Sequence, residues 1–204
     1  MTDAGRQGAG VRCDDGTSRV ARDAHTGGPE ATDGATADAD VAALVVVCGL
    51  PGVGKSTVAK RIADHVDGTV LRTDVIRKEL FTEPTYTETE TERVYGELLD
   101  RARSRVADGD SVVLDATFAD RRFRTGVAEA AATVADRFEL VKVECDEAVV
   151  RRRIERRDGI SDADFDVYLR FKEAFEPLDR DHVVIDNSGA RATTHERVDT
   201  TLFS

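Results

Sequence analysis

Gly49-Leu50-Pro51-Gly52-Val53-Gly54-Lys55-Ser56-Thr57 is the stretch whose reading decides the fold. It fits G-x-x-x-x-G-K-[ST] without a mismatch. The β-branched run Leu44-Val45-Val46-Val47-Cys48 leads into it, as a buried strand would. Val58, Ala59, Ile62, Ala63 and Val66 follow it at helical spacing. A glycine turn between strand and helix is the plainer reading; the complete pattern in strand–loop–helix order favours a phosphate-binding loop. Gly49, Gly52 and Gly54 allow positive φ and leave room for the backbone, with Pro51, Val53 and Thr57, to wrap an anion. Successive backbone N–H groups then form a nest, and the helix N-terminus adds positive potential. Lys55 is expected to reach the β- and γ-phosphates of ATP, and the Ser56 hydroxyl to ligate Mg²⁺.

Outward from the loop the chain alternates strand and helix. Strands are expected at 43–48, 69–73, 111–115, 138–144 and 182–186, and helices at 55–66, 75–80, 88–107, 119–135, 146–157, 162–175 and 191–202. The fold class is α/β: a three-layer α/β/α P-loop NTPase core with a five-stranded, mainly parallel sheet of the nucleoside- and nucleotide-kinase kind. Ligands belong outside the carboxyl ends of the strands. Residues 1–40 hold eight acids and four arginines but almost no apolar side chain larger than alanine. They are read as a disordered acidic tail ahead of a kinase domain at 41–204.

The 204 residues suffice for one α/β domain with a real core. Forty acids against 29 basic residues give a formal net charge of −11, and only five of the basic residues are lysines. An acidic, lysine-poor surface resembles those of salt-loving organisms, where net charge maintains solubility. It argues against a polyanionic partner, although it would mask a local basic site. Cys13, Cys48 and Cys145 lack metal-ligand spacing and read as reduced thiols. No apolar leader or membrane-length run is present, so a cytoplasmic location is expected.

Three further segments carry chemistry. Asp74 and Arg77 follow the second strand one helical turn apart. A kinase needs a carboxylate near the acceptor hydroxyl and a cation near transferred or acceptor charge. A helix cap is the competing reading of Asp74. Asp115 ends the third strand as a Walker B-like carboxylate and would hold Mg²⁺ opposite Ser56. The helix after the fourth strand carries Arg151, Arg152, Arg153, Arg156 and Arg157, which read as a lid near 152–165 or as a solvated basic face. The turn Asp158-Gly159-Ile160-Ser161-Asp162 follows, with Ser161 or Asp162 as a cap. Arg121-Arg122-Phe123-Arg124 suits an anionic substrate or a helix first turn, and Asp186-Asn187-Ser188-Gly189 suits an adenine-side loop or a generic turn.

The loop, Thr73-Asp74-Val75-Ile76-Arg77, Leu114-Asp115-Ala116-Thr117-Phe118, the arginine-rich helix and Phe175-Glu176-Pro177-Leu178 recur in this order. Over residues 43–189 the chain resembles the P-loop kinases labelled AAA-domain or zeta-toxin-like ATPases, near polynucleotide 5′-kinases, gluconate kinase and chloramphenicol phosphotransferase. The label does not imply a ring motor: the arginine pattern of such motors is absent and the chain is short. The resemblance implies Asp74 as general base and Arg77 as a contact to substrate phosphate, with the lid arginine at Arg153 or Arg157. The expected activity is transfer of the ATP γ-phosphate to a hydroxyl of a small molecule; a nucleic acid 5′ end is less favoured. An ATPase or nucleotide-binding switch without an acceptor, and a toxin-like sugar-nucleotide kinase, are the alternatives. Whether the chain is a monomer or a dimer is not encoded in any motif.

Overall fold

β1 (Ala43–Cys48) is buried along its whole length, so both of its faces must be covered. Successive side chains alternate between those faces. Leu44, Val46 and Cys48 join one core cluster, and Val45 and Val47 the other. The computed structural model describes residues 41–158 and 162–204, and the side chains of these except at 157, 158 and 162–164. The stretch read as a tail, the turn at 159–161 and the Arg157 side chain therefore lie outside the described residues.

The strands β2 (Thr69–Arg72), β3 (Val112–Asp115), β4 (Arg137–Glu144) and β5 (Val183–Asp186) complete a sheet of order β2-β3-β1-β4-β5, and every pair is parallel. The helices are α1 (Lys55–Val66), α2 (Thr73–Leu80), α3 (Glu88–Ala107), α4 (Arg121–Val134), α5 (Glu147–Asp158), α6 (Asp162–Ala174) and α7 (Arg191–Leu202). Val94, Leu98, Ala102 and Val106 of α3, with Val127 and Ala131 of α4, cover one face. Val58, Ala59 and Ile62 of α1, Phe165 and Tyr168 of α6, and Val198 of α7 cover the other. The parallel register brings all five carboxyl strand ends to one edge, with Arg72 level with Asp115 and Cys48 level with Lys142.

Local chemistry sets the boundaries. Thr87 caps α3 by accepting the Glu90 amide at 3.3 Å, and Asp120 caps α4 by accepting the Arg122 amide at 2.8 Å. That second cap starts α4 at Arg121 rather than at 119. α2 starts at Thr73, two residues before the expected 75, with extended Arg72 in the N-cap position. Asp74 is therefore inside the first turn and is not the cap. There a carboxylate still favours the helix dipole, and its Oδ1 accepts the Val75 amide at 3.0 Å.

Candidate active site

The loop of 49–54 joins β1 to α1 through three positive-φ glycines, Gly49 at 141°, Gly52 at 81° and Gly54 at 90°. Gly54 carries the tightest constraint: a Cβ there would fall on the Asn187 amide, in a backbone conformation that L side chains rarely adopt. Lys55 Nζ donates to the Leu50 carbonyl at 3.0 Å, so the ammonium is folded over the loop. Cys48, beneath the loop entrance, is buried, and burial pushes its thiol up to about 11, which keeps it neutral.

Across from the loop, four side chains run in series. Ser56 Oγ donates to Asp115 Oδ2 at 2.5 Å. Arg72 Nε approaches the same oxygen at 3.3 Å, and Arg72 Nη2 donates to Asp74 Oδ2 at 2.8 Å. Asp115 is buried and Asp74 is exposed. The series thus crosses from the helix that closes the loop to the rim of the strand edge. Ser56 and Asp115 are hard oxygen donors, the set that Mg²⁺ prefers when substrate oxygens and water supply its remaining ligands. Among the described residues no cluster of three or more His, Cys, Asp or Glu could hold a metal.

Arg77 does not meet Asp74. It is buried, 3.4 Å from Glu90 Oε2, with Nη2 donating to Thr91 Oγ1 at 3.2 Å and the guanidinium over the Tyr86 ring at 4.8 Å. Glu90 also accepts the Thr85 hydroxyl at 2.7 Å and the Tyr86 amide at 2.7 Å. These bonds, the Thr85 hydroxyl foremost, hold the Glu90 carboxyl below its ordinary range. The Arg77 charge is thereby matched, and its visible work is to fasten the segment between α2 and α3.

Arg153 reaches from α5 back to the loop. Nη1 donates to the Val53 carbonyl at 3.3 Å, and Nη2 to the Asn187 carbonyl at 2.8 Å. Asn187, within the stretch read as an adenine-side loop or a generic turn, is buried. Its Nδ2 donates to the Val53 carbonyl at 2.7 Å, and its Oδ1 accepts from Thr194 of α7 at 2.7 Å. One asparagine thus fixes the loop to the end of β5 and to α7. The signal available was its position directly after the β5 run.

The basic group 121–124 does not form an anion site. Arg122 is paired with Glu88, Glu92 and Asp120, and Arg121 with Asp179. Arg124 is buried and donates to the carbonyls of Phe118, Ala119, Glu176 and Pro177 at 2.6, 2.9, 3.1 and 2.9 Å. It ties Phe175–Leu178 to the segment after Asp115. Within that segment Phe118 adopts φ 50 while buried, and its amide donates to Tyr95 Oη at 3.0 Å. Burial pushes that phenol up to about 12, so it keeps its proton.

A cavity of about 660 Å³ opens on the β4–β5 side of the loop, lined among others by Leu50, Val53, Cys145, Tyr168, Phe175 and Ser188. Asp74, Asp115, Lys55 and Ser56 are not among its walls, so cavity and carboxylate series flank the loop as separate regions. Among the described residues no helix is long and apolar enough to cross a membrane.

The profile of a protein family described as an AAA domain matches residues 44–178. Uncharacterised proteins of Mycobacterium tuberculosis and Mycobacterium bovis are 31% identical over 163 residues, 72% of this chain and 32% of theirs. The chain thus spans about a third of the length of these curated relatives. A gluconokinase from Sinorhizobium meliloti 1021 superposes with a TM-score of 0.61 at 21% identity, covering 79% of this chain and 91% of that one. The Mycobacterium tuberculosis APS kinase, solved in complex with AMPPNP and APS, gives 0.62 at 16% identity, covering 80% and 99%. At these identities the likeness is one of fold.

Proposed function

The chain belongs to the AAA-domain family of P-loop proteins, and from that premise we propose that it is an ATP-dependent kinase acting on a hydroxyl of a small molecule. The observation that carries this reading is the series Ser56–Asp115–Arg72–Asp74 beside the loop. A nucleotide switch needs the first two groups, whereas the exposed carboxylate beyond them suits an acceptor.

In this reading the backbone N–H groups of Gly52 to Thr57 receive the phosphates of ATP, and Lys55 leaves the Leu50 carbonyl to offset γ-phosphate charge. Ser56 and Asp115 would hold Mg²⁺, which when bound neutralises charge on the β- and γ-oxygens. Asp74 accepts the proton of the acceptor hydroxyl. Arg153, already on the loop backbone, adds positive charge beside the phosphates, and Arg157 is the further lid candidate one turn on. Arg77 holds the α2–α3 segment that borders the acceptor. The cavity takes the base: its apolar Leu50, Tyr168 and Phe175 and polar Ser188 suit an aromatic ring with hydrogen-bonding edges. Net negative charge favours a small acceptor over a nucleic acid 5′ end.

The test is a transfer screen with γ-labelled ATP, in high KCl, against sugars, nucleosides, aminoglycosides and 5′-hydroxyl oligonucleotides. Label on a small-molecule hydroxyl is the expected result. Label released only as inorganic phosphate, with every acceptor unlabelled, contradicts the kinase reading and favours the ATPase.

A further inference from the structure

Arg72 is the one cation in the carboxylate series, and the kinase reading gives it no task. It is the register partner of Asp115 on the neighbouring strand, so both side chains rise from the same sheet face, that of α1. Its Nε is buried and makes no hydrogen bond, although it lies 3.3 Å from Asp115 Oδ2. A buried N–H in that state is costly, so the attraction holding it is one of charge. The other end of the guanidinium hydrogen-bonds to Asp74 at 2.8 Å. One guanidinium thus lies between the two carboxylates and offsets charge on each.

We propose that Arg72 is a positioning residue that bridges the metal-side carboxylate Asp115 and the acceptor-side carboxylate Asp74, and that its charge stands in for the metal at Asp115 while nucleotide is absent. The proposal rests on the reading of Asp115 as the metal carboxylate. It has a consequence for binding order. A divalent ion arriving alone must compete with a tethered guanidinium. An ion arriving with nucleotide brings phosphate oxygens that offset the added positive charge. Arg72 thus disfavours metal without nucleotide and keeps Asp74 aimed along the same edge.

The experiment is calorimetric titration of the full chain with Mg²⁺ alone, and separately with ADP in EDTA, for the wild type, Arg72→Gln, Arg72→Lys and Asp115→Asn, with melting curves to follow folding. Removing one charge a few ångströms from a partly solvated site should tighten Mg²⁺ binding about tenfold in Arg72→Gln. Arg72→Lys, which keeps the charge, should stay near the wild type. Metal-free ADP affinity should remain within about threefold in both, because the loop amides carry that binding. Unchanged or weaker Mg²⁺ binding in folded Arg72→Gln overturns the proposal. So does a tenfold loss of metal-free ADP affinity, which would make Arg72 a phosphate ligand. Should the Gln variant not fold, Arg72→Met keeps the apolar stem and carries the same expectation. Asp115→Asn separates the two readings: if it binds Mg²⁺ as well as the wild type does, the metal assignment has failed, whatever Arg72 does.

Discussion

Lys55 shows how one residue's chemistry can be read from both sequence and contacts. Its ammonium rests on the Leu50 carbonyl, inside the loop whose amides would hold phosphate. Lys55→Met removes the charge but leaves the backbone nest, so transfer should fall by about 10²-fold or more while the melting temperature shifts little. Coupled activity and thermal denaturation of the same preparation check this; full activity in the variant would remove Lys55 from the mechanism. The loop was legible because its determinants are contiguous: three glycines set the backbone geometry, and the lysine and serine side chains follow at fixed spacing. Arg72 and Asn187 were not. Each works through a partner distant in the chain, Arg72 through Asp115 on the neighbouring strand and Asn187 through Val53 in the loop, and no local spacing announces such pairs.

At the scale of elements, the strands and helices follow from alternation and helical spacing, and the differences lie at ends where capping decides. α2 begins early because Arg72 takes the cap position, and that moved Asp74 from a cap into the first turn. Arg124 shows what periodicity cannot see, since two of its four carbonyl partners lie in Glu176 and Pro177, far along the chain. Arg124→Leu should destabilise the fold by about 2–4 kcal/mol, because buried carbonyls lose charge-assisted donors. Denaturant titration measures this, and a loss below about 0.5 kcal/mol would show that the four bonds are replaceable. The α1–α7 contact adds a pH dependence. Asp199 accepts Arg61 at 2.7 and 2.6 Å and pairs with His65 at 2.7 Å, and these partners, Arg61 first, hold its carboxyl well below the usual range. A depressed carboxylate contributes stability that is complete above its unfolded pKa of about 3.9 and is lost as pH falls through the lower folded value. Stability should therefore decline below about pH 4, and Asp199→Asn should flatten that decline. Acid melts of the two proteins compare the slopes, and equal slopes would remove Asp199 from the account.

For the molecule as a whole, the charge of −11 acts on solubility and self-repulsion rather than on topology. Screening shrinks to about 3 Å at 1 M salt, so melting temperature should rise with KCl; a flat or falling curve would contradict the reading of the acidic surface as salt-adapted. The sheet order places the loop at its centre and brings the strand ends to one edge; the proposed kinase reading puts phosphates over β1, base toward β5 and acceptor toward β2. The central claim is that a phosphoacceptor belongs at Asp74. Asp74→Asn keeps the side-chain shape and removes the charge, while the loop, Lys55, Ser56 and Asp115 stay intact. The deciding measurement is nucleotide Kd and γ-phosphate transfer, side by side in wild type and Asp74→Asn, with an acceptor found by the screen. The account predicts a Kd within a few fold and transfer lower by about 10²–10⁴. Transfer at the wild-type rate by the asparagine variant would contradict it.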